Sequence, residues 1–456
     1  MKRSGETCNY TVDKTGDLRS GATCKWNTVD KTCGKHVKTR ESQVHLLIVD
    51  HDTNSDGDDE EKCSLLKLNP NLKLEHYKSN MLGTFLTSFL LLLSQSTHAH
   101  FPAGTTASRW TSDLVLCYID ARSTPAGGFG PDATALFGWN QTRFERLLAY
   151  HDAPSDRGGG KPTDTLFDSF LFSGNSWYNG KMFWPGLGIP MNKTDWINFL
   201  DLVLDLGVKN LDSAAANVSS HLPFDQTCSS PGLHPTVVLS IPYPDAREQN
   251  FGVIPSSKGR SLNFTLEADR LLAVEWWLEL AYSTFHQKNY GNARLSGFYW
   301  FFEEITQPDE ALVPAVNQKI HSLNTALMAV WIPYYRPGDP HTAKWQELGF
   351  DFATLQPNYA FGNVSADVRF PAIKKLIDVA NVGVELEINI GIRNPQAGGW
   401  QGNFDTYLER VTGWESATGS IMRTYYYGNV FVTDYAANST IFDYYTRLYK
   451  FVKRIR

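Results

Sequence analysis

From residue 113 onward, short apolar runs alternate with longer segments whose apolar residues recur every three or four positions. The short runs are typical of buried parallel strands, and the longer segments have the period of amphipathic helices. The pattern predicts strands at 113–119, 166–172, 236–242, 295–303, 327–332, 352–356, 382–389 and 420–427. It predicts helices at 142–150, 193–218, 266–287, 310–323, 342–348, 366–379, 404–412 and 441–452. Eight successive units in about 340 residues predict the α/β class and a (β/α)8 TIM-type barrel, since open doubly wound sheets rarely reach eight strands.

Residues 1–80 differ in composition, are rich in Lys, Asp, Glu, Thr and Asn, and show no sustained periodicity. We expect them to be disordered or a spurious extension. Residues 81–99 form a short apolar run that ends in small residues, which is typical of a secretory signal peptide and makes Met81 the expected start. The alternative is a membrane anchor, but this run is shorter than the ~20 residues that span a bilayer, so we expect no stable membrane span. The barrel domain is then expected at 100–456.

Potential glycosylation sites support secretion. Six Asn-X-Ser/Thr triplets lie after the signal-like run, at Asn140, Asn192, Asn217, Asn263, Asn363 and Asn438. Only Cys117 and Cys228 remain in this part of the chain, so it is not a disulfide scaffold, and Cys117 is expected to be a buried thiol. These features predict a secreted, extracellular glycoprotein.

Composition narrows the ligand class. A net charge of −6 argues against a general nucleic-acid binder, and no glycine-rich phosphate fingerprint follows the first strand. The chain holds 13 Trp, 20 Tyr and 26 Phe, a surplus that suits sugar-binding clefts, although a large aromatic core explains it equally well. The histidines are scattered without metal-ligand spacing, so we expect no metal and no cofactor.

The functional residues of such barrels lie at the carboxyl ends of the strands. Alternation along the fourth strand points Glu303 into the barrel, and along the seventh it points Glu385 and Glu387 inward. Burying a carboxylate on an apolar strand costs free energy of folding, so these glutamates are expected either to serve a function or to have a partner. The alternative interpretation is a structural network, in which these glutamates pair with Arg423 or with tyrosine hydroxyls. Polar residues expected to contact a carbohydrate are Tyr243, Tyr299, Tyr335, Gln356, Asn358, Tyr359, Asn389, Tyr425 and Tyr427.

Several ordered blocks of the chain resemble a known family. The segments 296–303, 331–335, 355–359 and 383–387 are similar to those of the barrel family of unknown function DUF4855. The resemblance implies a glycosidase-like barrel and no settled substrate. A more distant similarity is to retaining glycosidases, whose acid/base ends strand four and whose nucleophile ends strand seven, the places of Glu303 and Glu387. Phe302 stands where those enzymes have Asn before the acid/base.

Together these observations predict a secreted glycoside hydrolase that cleaves an O-glycosyl bond with two carboxylates. Glu303 is the expected general acid/base and Glu387 the expected nucleophile, with Glu385 as the substitute candidate. The alternative is a non-catalytic secreted protein that binds carbohydrate or belongs to the extracellular matrix.

Overall fold

The computed structural model describes two strands near the N-terminus and most of the chain from residue 113. The described residues are 45–52, 60–67, 113–119, 139–154, 157, 159–174, 177, 180–222, 232–388, 392–418, 421–426, 436, 439 and 441–455.

Eight parallel strands close into a barrel in the order in which they follow one another along the chain. The strands are β1 (Asp113–Tyr118), β2 (Ser169–Ser173), β3 (Thr236–Ile241), β4 (Arg294–Trp300), β5 (Met328–Trp331), β6 (Phe352–Leu355), β7 (Gly383–Glu387) and β8 (Arg423–Tyr426). Closure is made by β8 against β1, where Arg423 pairs with Asp113 and Tyr425 with Val115. The predicted (β/α)8 barrel is therefore confirmed.

Helices follow the strands. They are α1 (Gln141–Leu148), α2 (Lys193–Leu202), α3 (Lys209–His221), α4 (Glu267–Lys288), α5 (Leu312–Leu323), α6 (Pro340–Ala343), α7 (Ala366–Ala380), α8 (Gly399–Thr418) and α9 (Phe442–Val452). Sequence explains their ends: Asn192 and Asp195 form a reciprocal capping box at α2, and Asn289 ends α4 in the left-handed conformation at φ 48°. The predicted single helix at 193–218 corresponds to α2 and α3, which are joined by a π-helical segment, Val203–Val208.

That π-helical segment packs closely on the barrel. A Cβ atom at Gly207 would lie 2.7 Å from the Phe172 ring and 2.8 Å from the Ile119 side chain. Glycine is therefore required for this approach. The strand faces follow the alternation: Phe172 packs against Phe144 of α1, outside the barrel, whereas Ser173 and Ser240 share a hydrogen bond of 3.3 Å. The interior is thus partly hydroxyl-lined below the mouth.

The N-terminal part contains a two-stranded antiparallel ribbon, His45–Asp52 paired with Glu60–Lys67. The sequence analysis predicted no strand in residues 1–80, because the apolar run there is too short to show a strand period. The signal-like segment 81–99 lies outside the described residues. Among the helices that the structure describes, none is long and apolar enough to cross a membrane.

Candidate active site

Glu303 lies three residues beyond the end of β4, and its side chain is partly exposed at the mouth. The Gln356 side chain, just after β6, hydrogen-bonds its carboxyl group. Burial raises the pKa of Glu303 to about 7, the charge of Glu387 adds to this effect, and the Gln356 hydrogen bond opposes it. A carboxyl group with this pKa holds and releases a proton near neutral pH, as an acid/base catalyst must.

Glu387 is the last residue of β7, and 1% of its surface is exposed. Its Oε1 accepts a hydrogen bond from the Asn358 N–H at 2.7 Å. Its Oε2 accepts from the N–H groups of Tyr359 and Ala360 at 2.8 and 2.9 Å, and from the Tyr407 hydroxyl of α8 at 2.6 Å. Asn358 has φ 52°, which turns successive N–H groups towards the carboxylate. Burial raises the pKa of Glu387, and the four donors oppose that effect by stabilising the anion.

Glu385 lies two residues earlier on β7 and is equally buried. Its carboxyl group accepts a long hydrogen bond, 3.4 Å, from the Thr424 hydroxyl. Burial and the charges of Glu387 and Glu303 raise the pKa of Glu385 well above its usual range. With this one long hydrogen bond, the Glu385 anion is stabilised less than the Glu387 anion, which has four donors.

Aromatic hydroxyls surround these carboxyl groups. Tyr299, on the inner face of β4, is close enough to Glu303 and Glu385 that their charges raise its pKa, in addition to the larger effect of burial. Tyr118, at the end of β1, is near the same two glutamates and packs edge-to-face on Tyr426 of β8, with ring centroids 5.5 Å apart. The sequence analysis did not propose Tyr118 or Tyr426, although both have the inward parity of their strands.

Tyr425 has the opposite parity, and the structure does not bring it to the mouth. Its hydroxyl donates to Asp113 Oδ1 at 2.5 Å on the outer face of the barrel. The Arg423 guanidinium on the same face donates to Asp113 Oδ2 at 3.0 Å and forms an ion pair with Glu415. Because residues 425–427 are all tyrosines, the sequence does not show which of them point into the barrel. In the structure Thr424 contacts Glu385, so Thr424 and Tyr426 point inward and Tyr425 points outward. Arg423 is therefore not the glutamates' partner in the alternative structural network.

Three other predicted contacts are occupied within the protein. The Tyr243 hydroxyl donates to buried Asp309 at 3.0 Å and accepts from Arg270 at 3.2 Å. The Tyr359 ring is buried, so this residue contributes its N–H group to Glu387 and not its side chain. The Tyr335 ring lies under the Arg369 guanidinium, whose central carbon is 4.6 Å from the ring centroid.

The remaining predicted residues divide into two groups. Gln356 is at the site through its bond to Glu303, and its Nε2 also donates to the Ile332 carbonyl at 2.9 Å. Asn358 supports Glu387 through its backbone N–H group, and its side chain is half-buried. Asn389 and Tyr427 lie outside the described residues. Within the described residues, no cluster of three or more His, Cys, Asp or Glu side chains could hold a metal ion.

The fold and the site define a (β/α)8 barrel with carboxyl groups gathered at the carboxyl ends of β4 and β7. The chain belongs to the family described as a domain of unknown function, DUF4855, whose profile matches residues 130–450. None of the curated proteins matches it.

Solved structures to which the chain is similar include a β-glucuronidase from an uncultured Clostridium, at 12% identity and a TM-score of 0.37, over 74% of this chain and 50% of that one. A GH10 endoxylanase from a sugarcane soil metagenome has 9% identity and a TM-score of 0.34, over 69% and 85% of the two chains. Xylanase10C from Cellvibrio japonicus has 11% identity and a TM-score of 0.34, over 69% and 58%. At these values the likeness says nothing about activity, and the strand pairing alone establishes the barrel.

Proposed function

We propose that the protein is a glycoside hydrolase in which Glu303 is the general acid/base and Glu387 the nucleophile. The observation that carries this proposal is the contrast between two carboxyl groups in one mouth. Glu303 has a pKa near 7 and is partly exposed, whereas four donors stabilise Glu387 as an anion. Pairs of carboxyl groups with divergent environments are the general signature of an acid and an anion that act together.

The hydrogen bonds also indicate how the two groups would divide the reaction. Glu387 Oε2 accepts three hydrogen bonds and Oε1 accepts one, so Oε1 has the lone pair available to attack the anomeric carbon. Glu303 would transfer its proton to the glycosidic oxygen as the C–O bond breaks. It would then accept a proton from the water that releases the sugar from Glu387. Among the described residues Glu385 accepts only the long bond from the Thr424 hydroxyl, so its anion is less stabilised than that of Glu387, and it remains the substitute candidate for the nucleophile.

The test uses three variants in a paired assay. Glu303→Gln should lower the rate on poor leaving groups by roughly 10²-fold or more, and much less on activated aryl glycosides, which need no proton. Glu387→Gln should abolish turnover of both. The matched control is Glu304→Gln, because Glu304 is the next residue, pairs with Arg336 at 2.7 Å and should leave turnover close to that of the native protein. If the Glu303 and Glu387 variants both retain native rates across a broad glycoside panel, the assignment is wrong.

A second candidate function is carbohydrate binding without turnover, in a secreted or extracellular-matrix protein. One observation favours it: Glu387 is 1% exposed and bound by four donors, as in a structural network. Under this alternative, native protein binds glycans with a measurable Kd but hydrolyses none of them. Binding and turnover measured on the same glycans therefore separate the two functions.

We also propose that the protein is secreted and N-glycosylated. In support, Asn140, Asn217 and Asn363 are exposed and Asn192 and Asn263 half-buried, while Asn438 lies outside the described residues. Asn192 and Asn263 use their Oδ1 atoms in local hydrogen bonds, so Nδ2 is available to carry a glycan. Mass spectrometry of native extracellular material should find an N-terminus near His100 and glycans on these asparagines. Peptides from residues 1–80 in that material would contradict the expected processing.

A further inference from the structure

Arg369, in the first turns of α7, has no acidic partner within the part of the chain that the structure describes. Its guanidinium lies over the Tyr335 ring, and its Nε is buried with no hydrogen-bond partner among the described residues. An unpaired buried N–H group is unfavourable, because it has lost its hydrogen bonds to water without gaining a partner. Arg270 and Arg423 differ, since they form buried ion pairs with Asp309 and Asp113. Arg146, which is also buried, donates to the Ala436 carbonyl at 2.9 Å.

The position of Arg369 links it to both proposed catalytic groups. The Tyr335 N–H donates to the Gln356 carbonyl at 2.8 Å, and the Gln356 side chain bonds Glu303. On the other side, Arg369 Nη2 lies 3.8 Å from where a Cβ atom at Gly362 would be, beside the loop whose N–H groups bind Glu387. The guanidinium therefore lies at the rim of the mouth, between the β5 and β6 loops.

Acidic side chains nearby are already paired. Glu304 binds Arg336 at 2.7 Å, and Asp367 binds Arg410 at 2.6 Å. No ion pair joins Arg369 to a carboxylate of the described residues, so its guanidinium is open to an anionic ligand. A guanidinium is suited to this role, because its planar N–H groups match the oxygens of a carboxylate or a sulfate in pairs.

We propose that Arg369 and Tyr335 form an anion-binding subsite, and that the glycan substrate carries a carboxylate or a sulfate ester. This inference rests on the proposed function, since it names the substrate class of the same mouth. The anionic group binds the guanidinium edge while the reacting glycosidic bond lies between Glu303 and Glu387. Neutral glycans of the same backbone lack this contact and bind more weakly.

The experiment measures binding by isothermal titration calorimetry on the full chain carrying Glu303→Gln, so that the ligands stay intact. The probes are uronic acid oligosaccharides with their methyl esters, and sulfated oligosaccharides with their desulfated forms. We expect the acidic member of one pair to bind about 10- to 100-fold more tightly than its neutral partner, the range for hydrogen bonds to charged groups. The pair that shows this preference distinguishes carboxylate from sulfate.

Adding Arg369→Met should remove the preference and leave the Kd of the neutral form unchanged. Arg369→Lys, which keeps the charge and is the variant of choice if the Met variant does not fold, should retain part of the preference. The matched control is Arg410→Met, an arginine of α8 that is already paired with Asp367, and it should keep the full preference. Equal binding of acidic and neutral glycans by the parent, or a preference that survives Arg369→Met, overturns the subsite alone. A native protein that neither binds nor cleaves any glycan overturns the proposed function as well.

Discussion

Glu303→Gln should make the protein more stable at alkaline pH while it impairs catalysis. The folded pKa of Glu303 is about 7, against an ordinary value of 4.5. Between these values the folded state binds more protons than the unfolded state, so the free energy of unfolding falls as pH rises, and the loss is complete above pH 7. Glutamine has no proton to lose, so the variant avoids this loss.

The magnitude follows from the two pKa values. Their difference corresponds to about 3 kcal/mol, and solvent at the partly exposed carboxyl group reduces this to about 1–2 kcal/mol. For a barrel of this size we expect Tm to change by about 2 °C per kcal/mol. The Tm of Glu303→Gln relative to the native protein should therefore rise by roughly 2–4 °C between pH 4.5 and pH 8.

Thermal unfolding followed by circular dichroism at these two pH values tests this prediction. Glu304→Gln, the half-buried neighbour paired with Arg336, is the control and should show no comparable rise. A Tm difference between Glu303→Gln and the native protein that is the same at both pH values would refute the reasoning, because Glu303 would then not be held protonated by the fold.

Two further predictions concern the supports of the site, and a third concerns a buried ion pair on the outer face of the barrel. Tyr407→Phe removes one donor to Glu387, so the pKa of Glu387 should rise and the acid limb of the kcat/KM profile should move to higher pH. The free energy of unfolding, measured in urea, should fall by about 1–2 kcal/mol. Asn358→Ala should cost about 1 kcal/mol in the same assay, whereas Asn358→Gly should be close to neutral, since φ is 52° there; equal costs would contradict the backbone argument. Arg423→Met leaves Asp113 without its buried cation, and should lower the free energy of unfolding by about 3–5 kcal/mol; a loss below 1 kcal/mol would contradict the buried pair.

The barrel could be predicted because each strand and the helix that follows it are specified by residues close together in the sequence. The predicted helix at 266–287 and strand at 236–242 differ by one residue from α4 and β3, since caps and apolar runs determine such ends. The π-helical segment between α2 and α3 could not be predicted. There Gly207 packs closely on the Phe172 ring of β2 and on Ile119, which follows β1 and so belongs to the preceding unit.

The site could be predicted only on those strands where the sequence shows which residues point into the barrel. On β4 and β7, apolar residues alternate with the candidates, so Glu303, Glu385 and Glu387 could be named. On β8 three tyrosines conceal the parity, and Tyr425 was named in place of Tyr426. Side-chain partners were not predictable at all, because Tyr243 meets Asp309 only through the folding of distant loops.

The same limit explains why strand parity alone does not separate Glu385 from Glu387. Like charges in one barrel oppose joint ionisation, so the anion resides where donors are most numerous. Glu387 has four donors, whereas Glu303 has a bond from Gln356 and Glu385 a long one from Thr424. All four donors come from outside β7. Three are the N–H groups of residues 358–360 in the loop after β6, where Asn358 has φ 52°, and the fourth is the Tyr407 hydroxyl of α8. The loop after β6 thus stabilises the anionic form of Glu387, and the charge of Glu387 adds to the effect of burial in raising the pKa of Glu303.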